Sequence, residues 1–343
     1  MNKKPSILLI YTGGTIGMVK DYQTGALKAF NFNQLLERIP ELHLLDCSIE
    51  TFSFENPIDS SDMNPAHWVQ MAEVIENNYK NFDGFVVLHG SDTMSYSASA
   101  LSFMLENIQK PIILTGSQLP IGDLRTDAKE NLITAIQLAA LTENEAPVIQ
   151  EVGLYFEYKL YRGNRTSKIS AEHFNAFTSP NLPHIAESGV HLTVNHALLH
   201  RSSADLNFHI HKKMSSNVAI IKLFPGLTIQ ALNAFLQIPG LEGLILETFG
   251  AGNAPSGSWF IDPLQKAITA GLKVINVTQC SGGSVNMGQY ETSTALKEIG
   301  VISGKDITTE AAITKLMYLL GKQTPTADFK KHFETPICGE MSC

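Results

Sequence analysis

The sequence predicts an α/β protein with a larger, N-terminal doubly wound sheet domain and a smaller C-terminal α/β domain. Short apolar runs alternate with segments of helical spacing along most of the chain. The runs are apolar at nearly every position, which is typical of strands covered on both faces of a parallel sheet. The chain has 343 residues. Since one hydrophobic core rarely serves so long a chain, two domains are expected.

The expected boundaries place the N-terminal domain at residues 1–190, a linker at 191–213 and the C-terminal domain at 214–343. The alternation of strands and helices fades near the linker, where six histidines lie between residues 180 and 213. These histidines show no HExxH pattern and no accompanying cysteine spacing. We therefore expect a solvated or edge-strand role for them, and we expect neither a metal nor another cofactor.

Five strands and three helices are predicted in the first domain. The strands are Ser6–Tyr11, Ser48–Phe54, Phe85–Leu88, Pro111–Leu114 and Val152–Phe156. The helices are Pro65–Tyr79, Met94–Leu105 and Arg125–Leu141. Asn64 and Pro65 supply the N-cap and the first position of the first helix.

The second domain continues the alternation. Its predicted strands are Val218–Leu223, Gly243–Leu246 and Val274–Thr278. Its predicted helices are Thr228–Gln237, Pro263–Ala270, Thr308–Leu320 and Thr326–Phe333. Glycine-rich strand ends occur here too, but they carry no evident acid, base or nucleophile. This half is expected to support the site, to form an oligomer surface or to serve as a wall of the site.

A polar cluster follows each strand of the first domain. Because the carboxyl ends of parallel strands meet at one edge of a doubly wound sheet, these clusters are expected to converge. The residues collected there are Thr15, Ser60, Ser61, Ser91, Asp92 and Lys168. Hydroxyls, a carboxylate and a lysine can supply a nucleophile, a proton relay and charged contacts for acyl transfer. Thr15 is the first candidate nucleophile, since two glycines before it permit a tight turn.

Simpler interpretations of the same residues remain open. A glycine-rich turn after a strand is often only a turn, and Asp92 could cap the following helix while Lys168 stays solvated. Nucleotide binding is disfavoured because no lysine follows GGTIG where a phosphate-binding loop requires one.

Composition excludes several classes of protein. The net charge is −8 and no lysine or arginine cluster occurs, so neither a nucleic acid nor a membrane is expected as a partner. The N-terminal apolar run is shorter than a signal-peptide core, and no run approaches the roughly 18 residues of a membrane span. Four cysteines without framework or metal-binding spacing favour a reducing, cytoplasmic location.

Several motifs in order resemble the bacterial-type L-asparaginases, in particular their cytoplasmic type I branch. In the first half these are TGGTIG, DSSDM, HGSDTM, TGSQ and YRGNRTSK, at Thr12–Gly17, Asp59–Met63, His89–Met94, Thr115–Gln118 and Tyr161–Lys168. GAGNAP and TQCSGGSVNMG extend the resemblance into the second half, at Gly250–Pro255 and Thr278–Gly288. The resemblance covers practically the whole chain.

The resemblance implies hydrolysis of L-asparagine to L-aspartate and ammonia through a threonine acyl-enzyme, with weak activity on glutamine. Thr15 would attack the amide carbon. Ser91, Asp92 and Lys168 would form a hydrogen-bonded relay that moves protons. We expect Asp92 to be buried and to pair also with the substrate's α-ammonium group.

Further substrate contacts are carried over from the same resemblance. Ser60 and Ser61 would hold the α-carboxylate or the amine. The complete predicted substrate-binding set is Asp59, Ser60, Ser61, Ser91, Asp92, Gln118 and Asn253. Asn253 enters because the family is commonly a homodimer or homotetramer in which a neighbour's second domain completes the site.

The chain departs from the family's pattern at three positions. Ser91 stands where threonine is usual, which keeps the hydroxyl and leaves its rotation less restricted. Ala26 stands where a flap tyrosine would contact the nucleophile, and Tyr22 is the candidate substitute. Glu247 stands where some type I enzymes use an arginine to bind an activating asparagine. Because a carboxylate cannot replace that guanidinium, we expect hyperbolic kinetics.

Other functions stay open at this stage. A glutaminase-asparaginase differs only in accepting one more methylene, and sequence does not decide that ratio. An asparaginase-like subunit of a tRNA transamidase is disfavoured by the acidic charge. A non-catalytic amino-acid sensor would be favoured if Thr15 or Lys168 were missing, but both are present.

Overall fold

The computed structural model forms two compact units, Met1–Lys212 and Lys213–Cys343. It describes residues 4–20, 27–29, 39–202, 205–288 and 291–343. The predicted linker at 191–213 differs from this division, because residues Leu192–Val194 form a strand of the first unit's main sheet and residues His209–Ile210 pair with Leu105–Glu106. Strands this short carry too few residues for a periodic sequence signal.

The first unit contains sixteen strands in its described part. They are β1 (Ser6–Gly13), β2 (Met18–Lys20), β3 (Leu27–Ala29), β4 (Ser48–Ile58), β5 (Gly84–Leu88), β6 (Leu105–Glu106), β7 (Ile112–Thr115), β8 (Thr142–Glu143), β9 (Ala146–Pro147), β10 (Val152–Phe156), β11 (Lys159–Arg162), β12 (Ser167–Lys168), β13 (Phe177–Thr178), β14 (Ala186–Ser188), β15 (Leu192–Val194) and β16 (His209–Ile210). Its α-helices are α1 (Pro65–Asn78), α2 (Met94–Met104) and α3 (Ala128–Ala139).

The main sheet of the first unit has eight strands in the order β15-β14-β11-β10-β7-β5-β1-β4. The strands from β4 to β10 are parallel, and β11, β14 and β15 are antiparallel additions at one edge. In chain order the parallel strands run 2-1-3-4-5, the order of flavodoxin-like doubly wound sheets. The order reverses between β1 and β5, and such a switch point is where open α/β sheets bind ligands. The fold predicted from the alternation is confirmed.

Burial explains why the central strands lack a polar–apolar alternation. All five residues of β5 and of β10 are buried, and β1 is buried from Ile7 onward. The core between the sheet and α3 includes Leu9, Ile136 and Tyr155, each at most 1% exposed. Since both faces of these strands are covered, any polar side chain at their centre would need an internal partner.

The antiparallel edge begins at a two-residue hairpin that the sequence did not signal. Glu157 and Tyr158 join β10 to β11 with φ angles of 48° and 67°. Both angles lie in the left-handed region, as a type I′ turn requires, yet neither residue is the glycine or asparagine usual there. The Glu157 amide donates a 3.0 Å hydrogen bond to the Asn131 side chain, which stabilises the turn from α3.

The second unit is a four-stranded parallel sheet with helices packed on it. Its strands are β17 (Val218–Lys222), β18 (Gly243–Thr248), β19 (Lys273–Thr278) and β20 (Ile302–Ser303), in that spatial order. Its helices are α4 (Ile229–Leu236), α5 (Ser258–Thr269), α6 (Glu291–Glu298), α7 (Thr309–Gly321) and α8 (Thr326–Glu334). The Thr228 side chain caps α4 by accepting from the Ala231 amide, as predicted.

Two features of the second unit differ from the sequence prediction. Helix α5 begins at Ser258, so Pro263 lies inside it and not at its first position. Phe260 and Leu264, one turn apart, are fully buried and draw the earlier residues into the helix. Helix α6 was not predicted. Within the described part of the chain, no helix is long and apolar enough to cross a lipid bilayer.

Candidate active site

Three turns that follow β1, β4 and β5 pack directly against one another at the carboxyl edge of the sheet. A methyl group added at Gly14 would lie 2.5 Å from the Gly90 amide nitrogen. One added at Gly90 would overlap the Ser60 side chain, and one added at Gly13 would overlap the backbone of Ile58. Only hydrogen fits at these contacts. The glycines therefore bring together the residues that directly follow them.

Thr15 begins a single 3₁₀ turn immediately after this contact. Gly13 and Gly14 have φ angles of 140° and 85°, which residues with a side chain rarely adopt. The Thr12 hydroxyl donates a 2.8 Å hydrogen bond to the Leu88 carbonyl and so ties the end of β1 to the end of β5. Thr15 itself is half-buried. A hydroxyl is thus held at the switch point, where the sequence predicted a nucleophile.

The turn after β4 carries Asp59, Ser60 and Ser61. The Asp59 carboxylate accepts from both the amide and the hydroxyl of Ser61, each at 2.9 Å. These hydrogen bonds hold the pKa of the Asp59 carboxyl below its usual value. Ser60 is 3% exposed, whereas Ser61 is exposed. Thr93 donates a 2.6 Å hydrogen bond to the Ser60 carbonyl, which fixes this turn to the one after β5.

Ser91, Asp92 and Lys168 form one hydrogen-bonded group. Lys168 Nζ donates to Ser91 Oγ at 2.9 Å and to Asp92 Oδ1 at 2.6 Å. The Lys168 side chain is 16% exposed, but that of Asp92 is 65% exposed. Asp92 is therefore not buried as expected: it lies within the short turn Ser91–Thr93, none of whose residues is buried. The proximity of the three groups agrees with the predicted relay.

Lys168 reaches this group through the antiparallel edge of the sheet. After β11 the chain forms a 3₁₀ turn, Gly163–Arg165, in which Gly163 packs against Ala98 of α2. Thr166 then donates to Ser95 at 3.1 Å, and β12, which carries Lys168, pairs with β13. Each contact fixes the path of the backbone between the hairpin and Lys168.

A buried ion pair anchors the start of that path. Arg162 Nε lies 2.6 Å from Glu151 Oε2, and both side chains are less than 10% exposed. Arg162 also donates to the Leu198 carbonyl, and Glu151 accepts from the His200 amide. The segment predicted as a linker is thereby tied to the strands that position the site.

Gln118 extends the relay toward the next strand. Ser91 Oγ donates to Gln118 Oε1 at 3.2 Å. The backbone amide of Gln118 donates to the Asp127 carboxylate, and its side-chain Nε2 donates to the His173 carbonyl. Asp127, which sequence reasoning missed, accepts hydrogen bonds from the backbone amides of Gln118 and Leu119. Its position before α3 signals an N-cap, but its side chain caps nothing in that helix.

His89 begins the HGSDTM motif, and both of its ring nitrogens have hydrogen-bond partners in the structure. Its Nδ1 lies 2.7 Å from the Gly90 carbonyl oxygen, and its Nε2 lies 2.8 Å from Ser97 Oγ. Because a carbonyl only accepts, Nδ1 carries the ring proton. Complete burial lowers the pKa of His89 to about 4, so the ring is neutral at pH 7.

Three further residues named from the sequence lie either outside the described residues or in the second unit. Tyr22 lies outside the described residues. Asn253 lies in the second unit, in a turn where its backbone pairs with Phe249. Glu247, also in the second unit, accepts from the Thr309 hydroxyl at 2.7 Å and lies 3.9 Å from Lys222 Nζ. Their expected roles stay predictions.

A half-buried hydroxyl beside a hydroxyl–ammonium–carboxylate group, at the switch point of a doubly wound sheet, defines an α/β protein of the acyl-transfer class. Among the described residues, no group of three or more His, Cys, Asp or Glu side chains could hold a metal ion.

The chain belongs to the asparaginase family. The family model "Asparaginase, N-terminal" matches residues 6–200, and "Glutaminase/Asparaginase C-terminal domain" matches residues 217–333. L-asparaginase 1 of Escherichia coli K12 is 42% identical over 342 residues, which cover 99% of each chain. The 60 kDa lysophospholipase of Mus musculus is 38% identical over all of this chain and 63% of its own length. The crystal structure of L-asparaginase I from Vibrio cholerae superimposes with a TM-score of 0.90, at 40% identity over 99% of this chain and all of its own.

Proposed function

We propose that this protein hydrolyses the side-chain amide of L-asparagine to L-aspartate and ammonia through an acyl-enzyme on Thr15. The observation that carries the proposal is the Lys168 ammonium group, which binds Ser91 and Asp92 beside the turn that presents Thr15. An isolated threonine hydroxyl is a weak nucleophile, so the reaction requires a proton acceptor beside it. The Asp92 carboxylate, which is bonded to the Lys168 ammonium group, is that acceptor.

In the first step the Thr15 oxygen attacks the side-chain carbonyl carbon of asparagine. Lys168 gives a proton to the Asp92 carboxylate, and Ser91 passes the Thr15 hydroxyl proton on to the amine so formed. The same relay returns a proton to the amide nitrogen, which leaves as ammonia. The product is an aspartyl ester of Thr15. Water then attacks the ester carbon, its proton passes to the same relay, and the Thr15 oxygen recovers a proton as aspartate departs. One amide and one water thus give one carboxylic acid and one ammonia.

The substrate's charged α-groups are proposed to lie between the turns after β4 and β5. Ser60, Ser61 and the Asp59 turn supply hydroxyl groups and backbone amides, and Asp92 supplies a carboxylate for the α-ammonium. Because Asp92 is largely exposed and already paired with Lys168, its attraction for the substrate is screened by water. Gln118, Asn253 and Tyr22 stay in the proposed site on the strength of the family resemblance.

The wider setting of the reaction also rests on the resemblance. A homodimer or homotetramer, a cytoplasmic location and weak activity on glutamine are parts of the proposal. Glutamine is longer by one methylene, a difference that a pocket discriminates by about 1–3 kcal/mol.

Ammonia release tests the proposed substrate. The purified protein is assayed with asparagine and with glutamine, and fatty-acid release from lysophosphatidylcholine is followed in parallel because of the mouse relative's name. We expect asparagine to react with a kcat/KM about 10–200-fold above that of glutamine, and no fatty-acid release. Equal or better use of glutamine, or release of fatty acid without ammonia, would contradict the proposed substrate.

A further inference from the structure

Gln118 connects the two elements that carry the proposed relay. Ser91 Oγ donates to Gln118 Oε1 at 3.2 Å. Gln118 Nε2 donates at 3.0 Å to the carbonyl of His173, a residue of the loop between β12 and β13. Since β12 carries Lys168, one amide side chain touches both the residue that accepts from Lys168 and the hairpin that presents Lys168.

Hydrogen bonds to Asp127 and Asn131 fix the backbone around Gln118. Its amide lies 2.9 Å from Asp127 Oδ2 and 3.2 Å from Asp127 Oδ1, and the Leu119 amide lies 3.1 Å from Oδ1. Asn131 Nδ2 donates at 3.0 Å to the carbonyl of Gly116, which lies two residues before Gln118 in the chain. Asp127 stands at the N-cap of α3, yet its side chain caps no backbone amide of that helix. Besides the loop amides it accepts from the Asn131 side chain at 3.3 Å. The Thr126 hydroxyl accepts instead from the Ala128 amide at the start of the helix. The Asp127 carboxylate, which could have capped α3, thus fixes the backbone of Gln118.

These contacts determine the direction of the Ser91 hydroxyl. A serine hydroxyl has one hydrogen and two lone pairs. The hydrogen is directed to Gln118 Oε1, and one lone pair accepts from Lys168 Nζ. The second lone pair is then left facing the proton that Thr15 or water gives up. When Ser91 takes that proton, its own hydrogen leaves Gln118 Oε1 and passes to Lys168, which has given a proton to Asp92. Serine lacks the methyl group that restricts χ1 in threonine, so the orientation of the Ser91 hydroxyl depends more strongly on its hydrogen-bond partners.

We propose that Gln118 is a positioning residue, which fixes the rotation of the Ser91 hydroxyl and the position of the hairpin that carries Lys168. Gln118 then affects the rate of the reaction and not the binding of substrate. The inference rests on the proposed function. It differs from the role expected from the resemblance, in which Gln118 binds substrate. Both polar atoms of its side chain already have protein partners, which favours positioning.

The two roles predict different kinetics. Loss of a substrate contact shared by ground and transition states raises KM and leaves kcat unchanged, whereas loss of a group that positions the relay lowers kcat. Gln118→Met keeps the length of the side chain and removes both hydrogen bonds. We expect kcat for asparagine to fall about 10-fold, the value of one hydrogen bond, with KM changed less than about 2-fold. Gln150→Met is the matched control, since the Gln150 side chain donates to the Pro147 carbonyl away from the site. This control variant should keep the wild-type kcat.

A double-mutant cycle shows whether Gln118 acts through Ser91. If it does, Gln118→Met lowers kcat in the wild-type background but has no further effect in Ser91→Ala. Asp127→Asn offers a second route, because an amide oxygen replaces only part of the carboxylate's hydrogen bonding, and it should lower kcat with KM unchanged. The proposal is overturned if Gln118→Met raises KM at constant kcat, or if it lowers kcat by the same factor in both backgrounds.

The experiments distinguish a wrong proposed function from a wrong role of Gln118. A wild-type protein inactive on asparagine would refute that function. The Ser91 side-chain rotamer in crystals of the wild type and of Gln118→Met would then decide the positioning role alone. The inference is overturned if Ser91 Oγ occupies the same rotamer in both crystals.

Discussion

At the scale of single residues, His89 shows how a buried side chain supports the turn that carries Ser91 and Asp92. Its neutral ring donates to the Gly90 carbonyl and accepts from Ser97, which itself accepts from Trp68 Nε1 at 2.9 Å. Every polar atom of the ring is therefore bonded. A second proton on the ring would place a charge in a fully buried position and would force the Ser97 hydroxyl to turn its own hydrogen away from the ring.

His89 is predicted to make the folded state less stable in mild acid. Its pKa is lowered from 6.5 to about 4, so the unfolded chain binds the proton more tightly. Stability from this group is complete above pH 6.5 and is lost as the pH falls toward 4. One pKa unit corresponds to about 1.4 kcal/mol, which gives a total loss of about 3 kcal/mol. Urea unfolding between pH 7 and 4 measures the effect.

The variant His89→Gln separates this effect from other titrating groups. Glutamine does not ionise, so the wild type should lose about 3 kcal/mol of unfolding free energy relative to the variant between pH 7 and 4. A constant difference between the two proteins across that range would show that His89 does not titrate as described.

The sequence signals some residues of the site and not others. Thr15 and Ser91 directly follow parallel strands, so the geometry of a parallel sheet predicts that they converge. Lys168 lies well beyond the last parallel strand and reaches them through the antiparallel edge. Asp127 could not be found in this way. An Asp before a helix is read as its cap, and the diversion of its carboxylate to the loop of Gln118 depends on tertiary contacts. The exposure of Asp92 likewise depends on the folded turn that contains it.

At the scale of elements, the site depends on turns that pack without side chains between them. Gly14 lies against Gly90, which lies against Ser60, so three loops approach as closely as their backbones allow. These contacts link the ends of β1, β4 and β5 over a very short distance. The placement of Thr15 is therefore a property of three turns together.

Gly14→Ala is predicted to impair both activity and stability. The new methyl group would lie 2.5 Å from the Gly90 amide nitrogen, and the φ angle of 85° strains any residue with a side chain. We expect a loss of more than about 1 kcal/mol in unfolding free energy and at least about a 100-fold fall in kcat/KM, because Thr15 is displaced. Thermal unfolding and ammonia release are the measurements.

Gly122→Ala is the control for that variant. Gly122 has an ordinary φ angle and open space around its missing Cβ, so activity and stability should both stay near the wild-type values. Wild-type activity in Gly14→Ala would mean that the turns do not need their close approach.

The antiparallel edge of the sheet marks the limit of prediction for elements. The alternation of apolar runs and helices identified all five parallel strands. It missed β11, β14 and β15, since a hairpin turn made of Glu157 and Tyr158 has none of the usual turn residues. That unexpected hairpin is what directs the chain back toward Lys168.

At the scale of the whole molecule, the chain combines two α/β units, and the described site residues lie in the first. The order reversal between β1 and β5 creates the place where the turns can meet. A buried hydrophobic core packs against the parallel strands. Lys168 lies on β12, in the part of the chain that follows the antiparallel strand β11. The two-unit architecture was predictable from length and alternation, whereas the division at Lys212 was not, since short strands continue past residue 190.

The most direct test of the account is the turnover of asparagine by Thr15→Ala, compared with Thr15→Ser and the wild type. If Thr15 is the nucleophile, alanine should lower kcat at least about 1,000-fold, while circular dichroism shows an unchanged fold and serine, which keeps the hydroxyl, retains measurable activity. If Thr15→Ala keeps a kcat near that of the wild type, the acyl-enzyme on Thr15 is wrong and another group performs the attack.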